Sequence, residues 1–350
     1  MLYIDSHTES LKNARKEHVK FWGCRIRKKL TGKDCSNPVC QICSGTEAHK
    51  PKSSRVIFNR LIKFLNSQNI QRILGGSPSQ LPKINSECFN NILSSKELSN
   101  LSLFFTAKPK EKKNPKFTMI HNLIFDIEKI FDYDWFVARE LGTDYNAYKL
   151  AQNLDMRSCS YCNRIYTTTM VTMGGKKVMR PQFDHWYPKS KSPLLSISFF
   201  NLIPSCYTCN SSAKSDIELD IKHHVHPYID KTQTDDLKFV FFFDHKLKNY
   251  GITITEIRKK STKARDTMKK LNVDLMYNTH IDELADLLKI RDTYSDAYIN
   301  EIIRFFPKNK LSFKEVFRLL FGTEYDSKNF HKRPLSKFKK DILGDLGILK

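Results

Sequence analysis

The amino-acid sequence predicts an α+β fold that is mainly helical, with a small β-containing centre between two mostly helical flanking regions. Apolar residues recur at helical spacing in residues 54–74 and from Phe117 to about Asn153, and helical periodicity returns beyond Ile257. Residues 159–214 differ, because they contain alternating β-branched residues and paired cysteines. The chain therefore divides into three predicted regions, residues 1–150, 151–230 and 231–350.

The two flanking regions carry the helical patterns. The predicted helix over residues 54–74 stops at Gly75-Gly76, which is typical of a helix end. The C-terminal region begins differently, because Leu237–Phe243 is a short apolar run that favours a strand. We expect helices on either side of that strand.

The central region has the pattern of a β-hairpin followed by a helix. Residues 164–172 alternate and are rich in β-branched side chains, and residues 176–183 form a second extended stretch. Gly174-Gly175 lies between them and supplies the turn. The chain after Cys206 then suits a short helix.

Composition limits the classes of protein. With 350 residues, 40% of them hydrophobic and 27% charged, the chain is an ordinary globular mix with room for substantial cores. Its 59 basic and 37 acidic residues leave a net charge of +22, which favours a polyanionic partner such as nucleic acid. A membrane surface is the competing partner, but no apolar run of about 18 residues supports it. We therefore predict a cytoplasmic protein without a membrane contact.

Four of the nine cysteines form two C-x-x-C pairs in the central region, Cys159 with Cys162 and Cys206 with Cys209. Two such pairs make a tetrahedral thiolate site for zinc. Four thiolates leave no open coordination position, so this zinc is predicted to be structural. The alternative is a set of buried, reduced thiols without metal.

A second cysteine group lies near the N-terminus. Cys24, Cys35, Cys40 and Cys43 are spaced C-x10-C-x4-C-x2-C, and the final C-x-x-C predicts a second zinc site. Unliganded or core cysteines are the alternative. Cys88 has no partner by spacing and is predicted to be a buried apolar residue.

The stretch between the central cysteine pairs contains a candidate catalytic group. Asp184 and His185 are adjacent at the end of a predicted strand, so their side chains point to opposite faces. A histidine with a near-neutral pKa suits the activation of water, and a carboxylate suits a hard divalent cation. Asn210 offers an amide oxygen from the start of the following helix.

These residues lie in the stretches "FDHWYP" and "FFNLIPSCYTCNSSAK", which resemble the HNH endonucleases of the His-Me finger (ββα-metal) superfamily. The flanking C-x-x-C pairs are similar to its zinc-bearing branch. The resemblance implies a ββα-metal nuclease core in which Asp184 binds catalytic Mg²⁺ or Mn²⁺ and His185 is the general base. It also implies that Asn201 orients the loop and that Asn210 is the second metal ligand.

The chain departs from the commonest family pattern at one position, because Asn210 stands where many members have histidine. An amide oxygen still coordinates Mg²⁺ or Mn²⁺. Lys214, one helical turn beyond Asn210, and Lys189 are the expected phosphate contacts. The implied substrate is DNA, most simply double-stranded, although the residues themselves do not exclude RNA.

The layout of a zinc-knuckle HNH centre between helical flanks also resembles stand-alone bacterial HNH nucleases of anti-phage defence, such as the Septu type and certain retron effectors. Some of these work beside an ATPase. This chain has no Walker A sequence, so an ATPase activity would belong to another subunit. Two alternatives are a catalytically silent nucleic-acid-binding subunit and a nuclease subunit held inactive in a complex until a signal arrives.

Overall fold

The computed structural model describes residues 1–37, 40–138, 145–258, 262–293, 301 and 312–348. Within them the protein is α+β, with many helices and small two-stranded antiparallel sheets, as the sequence predicts. Buried apolar side chains from all three predicted regions, among them Trp22, Phe183 and Phe338, belong to one continuous cluster. None of the helices in this part of the chain is long and apolar enough to cross a lipid bilayer.

The regular secondary structure in the described part of the N-terminal region is all helical. Its helices are α1 (Glu9–Thr31), α2 (Gln41–Ser44), α3 (Arg55–Phe64), α4 (Ser67–Gly75), α5 (Leu81–Ile92), α6 (Ser95–Thr106), α7 (Thr118–Ile130), α8 (Tyr133–Ala138) and α9 (Ala147–Leu154). The longest, α1, begins where the side chain of Thr8 accepts from Leu11 N and ends at Gly32, whose φ of 70° suits glycine.

Two long helices predicted for this region are broken in the structure. The helix expected over residues 54–74 is divided into α3 and α4, because the side chain of Asn66 accepts from Asn69 N at 2.9 Å and caps a new helix. The stretch expected to be helical from Phe117 to Asn153 is also divided. Asp132 accepts from Trp135 N at 3.0 Å within it, and residues 139–144 lie outside the described part.

In the central region, β1 (Met170–Val171) pairs with β2 (Lys177–Met179) around the two glycines, so the predicted hairpin forms but is short. Pro181 has no N–H to donate, and the chain leaves β2 before it starts strand β3 (Gln182–His185). β3 pairs antiparallel with β4 (Leu202–Ser205). The predicted short helix follows β4 as a π-helical turn, Thr208–Lys214.

The C-terminal region opens with helix α10 (Lys231–Asp236) and continues into the predicted strand, β5 (Leu237–Asp244). β5 pairs with β6 (Asn249–Glu256), which the sequence analysis did not anticipate. Its remaining described helices are α11 (Lys263–Lys270), α12 (Val273–Tyr277), α13 (Ile281–Thr293), α14 (Phe313–Phe321) and α15 (Ser336–Asp345). The centre therefore sits between helical layers, with the β5–β6 hairpin against α15.

Candidate active site and metal centres

The β3–β4 pair presents the candidate catalytic residues on two faces. Asp184 is opposite Ile203 and His185 is opposite Leu202 in the antiparallel register. Because successive side chains of a strand point to opposite sides, Asp184 faces the π-helical turn and His185 faces the loop that connects β3 to β4. The two neighbours thus occupy separate environments.

The carboxylate of Asp184 is enclosed, with 2% of the residue exposed. Its Oδ2 accepts a hydrogen bond of 2.6 Å from the Tyr161 hydroxyl, and its Oδ1 lies 3.4 Å from Lys214 Nζ. Burial raises the pKa of Asp184, whereas the Lys214 ammonium and the Tyr161 hydroxyl oppose that rise. Both carboxylate oxygens already have partners within the protein.

Lys214 is placed differently from the sequence-based expectation that it contacts a phosphate. The residue is completely buried, and its Nζ donates to the His185 carbonyl oxygen at 2.7 Å as well as facing Asp184. The π-helical geometry, in which Ser215 N donates to Asn210 O, directs the end of the turn toward β3. The ammonium therefore neutralises a buried carboxylate and does not reach the surface.

Asn210 lies on the same face of β3 as Lys214. Its Nδ2 donates to Gln182 Oε1 at 2.7 Å, two residues before Asp184 on the strand. The π-helical turn thus places two side chains over β3, Asn210 above Gln182 and Lys214 above Asp184. The two predicted metal ligands share one interface, but each is held by a different partner.

His185 is partly buried and oriented by two contacts. Its Nε2 lies 2.8 Å from the carbonyl oxygen of Ser196, and its ring meets the ring of Tyr133 edge-on with centroids 4.5 Å apart. A carbonyl oxygen only accepts, so Nε2 carries the hydrogen and Nδ1 is the basic nitrogen. Burial lowers the pKa of His185 to about 4, which keeps the imidazole neutral at pH 7. It is then a proton acceptor of modest strength.

Asn201 fixes the two ends of the loop that follows His185. Its Oδ1 accepts from Tyr187 N at 2.7 Å, and its Nδ2 donates to Tyr187 O at 3.1 Å and to Leu195 O at 2.9 Å. The residue is completely buried. Its amide therefore bonds the loop at both ends, which is the geometry that an orienting residue needs.

A residue that the sequence analysis missed holds the same loop from the other side. His18, on α1, is completely buried and lies with Nε2 2.7 Å from Ile197 O and Nδ1 3.0 Å from the Tyr145 hydroxyl. Three consecutive carbonyls, those of residues 195–197, are thus engaged by the side chains of Asn201, His185 and His18. A single histidine on an amphipathic helix forms no sequence pattern that would predict its contact with a distant loop.

Lys189, the other predicted substrate contact, is at the surface. Its Nζ is 3.0 Å from Asp134 Oδ1 and 5.5 Å from the centre of the Tyr133 ring, and about half of its side chain is exposed. Because Tyr133 also packs against His185, Lys189 lies on the side of the candidate general base. It is the exposed member of the two predicted lysines.

The central cysteines converge as their spacing predicts. The Sγ atoms of Cys159, Cys162, Cys206 and Cys209 all lie within 4.8 Å of one another, and all four residues are buried. The Cys162 and Cys206 sulfurs are 4.0 Å apart, close to the roughly 3.8 Å edge of a zinc–thiolate tetrahedron with 2.3 Å bonds. These residues fit a structural zinc ion.

Backbone hydrogen bonds support the same set of sulfurs. Arg164 N lies 3.4 Å from Cys162 Sγ, and Cys209 N lies 3.5 Å from Cys206 Sγ. Hydrogen bonds from Cys159 and the other neighbouring thiols lower the pKa of the Cys206 thiol and raise the pKa of the Cys209 thiol, as expected of thiols that share protons within one cluster. Tyr161, between the first two cysteines, is the residue that donates to Asp184, so the cysteine cluster adjoins the candidate active site.

The N-terminal cysteines also converge. The sulfurs of Cys24, Cys35, Cys40 and Cys43 lie within 4.8 Å of one another, with Cys24 at 3.4 Å from Cys40 and 3.1 Å from Cys43. Cys24 and Cys43 are buried, whereas Cys35 and Cys40 are partly exposed. This set fits a tetrahedral ion after a small expansion. Cys88, by contrast, is completely buried and apolar in its contacts, as predicted.

Comparison with known proteins finds no match: no protein-family model, curated protein or solved structure is significantly similar to this chain.

Proposed function

We propose that the protein is a metal-dependent HNH endonuclease of the His-Me finger (ββα-metal) superfamily that hydrolyses phosphodiester bonds of DNA. The observation that carries the proposal is the hydrogen bond from His185 Nε2 to Ser196 O within a strand–loop–strand–helix unit. It joins the end of strand β3 to the loop that follows it. It leaves Nδ1 of a neutral imidazole as the proton acceptor, beside a carboxylate and an amide on the opposite face of the strand. The net charge of +22 supports a polyanionic substrate.

In the proposed reaction, His185 Nδ1 accepts a proton from a water molecule whose oxygen forms a bond to phosphorus. The bond between phosphorus and the 3′ oxygen breaks, and that oxygen takes a proton from solvent, so the products carry 5′ phosphates. The Ser196 carbonyl oxygen holds the imidazole against rotation, and Asn201 holds the neighbouring Leu195 carbonyl of the same loop. Lys189 is the proposed phosphate contact at the surface.

Two kinds of metal site belong to the proposal. Asp184 and Asn210 would hold Mg²⁺ or Mn²⁺, which supplies charge neutralisation at the phosphate and at the leaving oxygen. Both offer the oxygen atoms that hard cations prefer, and the fit requires Asp184 Oδ1 to exchange its Lys214 partner. The central cysteine cluster would hold a structural zinc, and the N-terminal cluster a second one.

The cellular setting that we propose is bacterial anti-phage defence, with this chain as the effector of a complex that includes an ATPase. That part rests on the resemblance of the layout to stand-alone defence nucleases. Co-expression with the neighbouring genes, followed by measurement of the mass of the complex, tests it. A monomer under all conditions would remove the partner from the proposal.

The catalytic proposal is tested with supercoiled plasmid, Mg²⁺ or Mn²⁺, and three proteins: wild type, His185→Ala and His223→Ala. The last is the matched control, because His223 is largely exposed and pairs with Asp220. We expect nicked or linear DNA from wild type and from the control, and none from His185→Ala, which should still bind DNA. Cleavage by His185→Ala at the wild-type rate would reject His185 as the general base.

A second candidate, a catalytically silent nucleic-acid-binding subunit, is favoured by a specific observation. Both oxygens of the Asp184 carboxylate are engaged, by Tyr161 and by Lys214, so a divalent cation has to compete for them. Calorimetric titration with Mn²⁺ separates the candidates. Binding that is lost in Asp184→Asn supports the enzyme, whereas no binding by a folded, zinc-loaded protein supports the silent subunit.

A further inference from the structure

A groove of about 560 Å³ lies between helices α1 and α4. One wall is built from α1 and the other from α4, with apolar contributions from Val19 and Ile70 at the base. Its most frequent lining residues are basic. They are Lys12, Arg15, Lys16, Lys20 and Arg27.

The spacing of these residues explains why they share one surface. Intervals of three, four and seven residues bring side chains to the same face of a helix. All five basic residues are exposed, whereas the opposite face of α1 buries Ala14, His18, Phe21 and Trp22 in the core. The helix therefore has a largely apolar inner face and an exposed side on which basic residues outnumber two acidic ones, Glu9 and Glu17.

The charge of the groove is largely uncompensated. None of the described residues that line it is acidic, and neither Lys16 nor Lys20 has a carboxylate partner within the described chain. Lys12 has only a long contact of 3.9 Å with Glu9. Like charges four residues apart destabilise a helix by a few tenths of a kcal/mol each. These basic side chains therefore do not stabilise the fold through their charges. A bound polyanion would offset the repulsion between them.

The groove reaches toward the candidate active site. Arg15 donates to Gly75 O, and its guanidinium lies 5.5 Å from the centre of the Phe200 ring, next to Asn201 in the chain. A Cβ on Gly75 would come within 2.9 Å of Val19, so glycine permits the close approach of α4 to α1 at this end. The inner face of the same helix bonds the loop at Ile197 through His18.

We propose that this groove binds the phosphate backbone of the DNA substrate. From Lys12 to Arg27 the helix rises about 22 Å at 1.5 Å per residue. That length matches about six to seven steps along one strand at 3.4 Å per step. Backbone contacts of this kind position the DNA without reading its sequence. The choice of DNA rests on the proposed nuclease function, whereas the binding of a phosphate backbone rests on the groove itself.

The test measures binding in a protein that does not cut. In a His185→Ala background, Lys16→Gln combined with Lys20→Gln is compared with Lys63→Gln combined with Lys83→Gln. The control removes two exposed lysines that do not line the groove. Fluorescence anisotropy of a labelled DNA duplex and of a labelled RNA, over a series of salt concentrations, gives the dissociation constant and its salt dependence.

For the groove variant we expect the dissociation constant to rise about tenfold, and the slope of log K against log salt concentration to fall by about two. The control should change neither the slope nor the melting temperature. Equal binding by the groove variant and the control, or no binding of DNA by either, would overturn the proposal. An effect confined to RNA would overturn DNA as the occupant.

Failure of the groove proposal and failure of the nuclease proposal give different results. If wild type does not cleave but the groove variant still loses DNA binding, the groove stands and the catalytic proposal fails. If wild type cleaves and the groove variant binds like the control, the nuclease proposal stands and the groove is rejected. Zinc content and melting temperature of each variant confirm that folded proteins are compared.

Discussion

The two cysteine clusters have the same ligand chemistry but different surroundings. The central cluster consists of four buried cysteines at the base of the β3–β4 pair. In the N-terminal cluster, Cys35 and Cys40 are partly exposed, and the ligands join α1 to the loop and the short helix α2 that follow it. The central cluster is thus part of the core, whereas the N-terminal cluster holds a loop and the short helix α2 against α1.

The residues that surround the two cysteine clusters also differ. The central knuckle contains Tyr161, which donates to Asp184, so the cluster supports the candidate active site directly. The chain that follows the N-terminal cluster has a second anchor, because buried Asp126 accepts from His49 Nε2, Lys52 N and Ser53 N at 2.8–2.9 Å. Identical ligand sets therefore contribute unequally, according to what else holds the surrounding chain.

The largest effect that we expect comes from Cys206→Ser. Loss of one thiolate should release the central zinc and lower the free energy of unfolding by about 5 kcal/mol or more, because metal binding and folding are coupled at a buried site. Metal analysis should show one zinc fewer, and the thermal melt should shift or broaden. Cys88→Ala is the control, since it alters a buried cysteine outside both clusters. Unchanged zinc content in Cys206→Ser would refute the structural zinc.

Cys43→Ser should have a smaller effect. It should release the N-terminal zinc and cost about 2 kcal/mol, because the Asp126 hydrogen bonds still anchor residues 49–53. Chelator titration of wild type should then remove the two zinc ions in separate phases, the more exposed N-terminal one first. If Cys43→Ser lost as much stability as Cys206→Ser, the proposed difference between the two clusters would be wrong.

His18 tests whether the N-terminal region is joined firmly to the centre. Burial lowers its pKa to about 4, so its contribution to stability is present above pH 6.5 and is lost as pH falls toward 4. A depression of this size corresponds to on the order of 3 kcal/mol across that window. His18→Gln should cost about 1–2 kcal/mol at pH 7.5 and flatten the acid side of the stability profile. Denaturant melts at several pH values measure both, and an unaltered profile would contradict the argument.

The smallest effect on stability should come from Lys189→Gln. Its ion pair with Asp134 also joins the centre to the N-terminal region, but both side chains are largely exposed. Such pairs contribute less than about 1 kcal/mol. We expect an unchanged melting temperature together with weaker DNA binding. A shift in melting temperature comparable to that of His18→Gln would show that exposed and buried links are equivalent here.

Much of the helical layout was accessible from the sequence, although element boundaries were not. The run from residue 54 to residue 74 has one continuous apolar period, yet the side chain of Asn66 offers its oxygen to Asn69 N and starts a second helix. The strand β6 was missed although Ile252, Thr253, Ile254 and Thr255 alternate as expected of a strand with one buried face. Its pairing with β5 joins two segments, which the pattern of a single segment does not reveal.

The sequence by itself determined the ligand chemistry and the opposition of Asp184 and His185. Paired C-x-x-C spacing brings sulfurs to one knuckle, and a strand directs neighbours to opposite faces. Only the tertiary structure decided that Lys214 turns inward to Asp184 and that His18 holds the loop at Ile197. These contacts join residues far apart in the chain, and the burial that shifts a pKa is a property of packing, which no local pattern specifies.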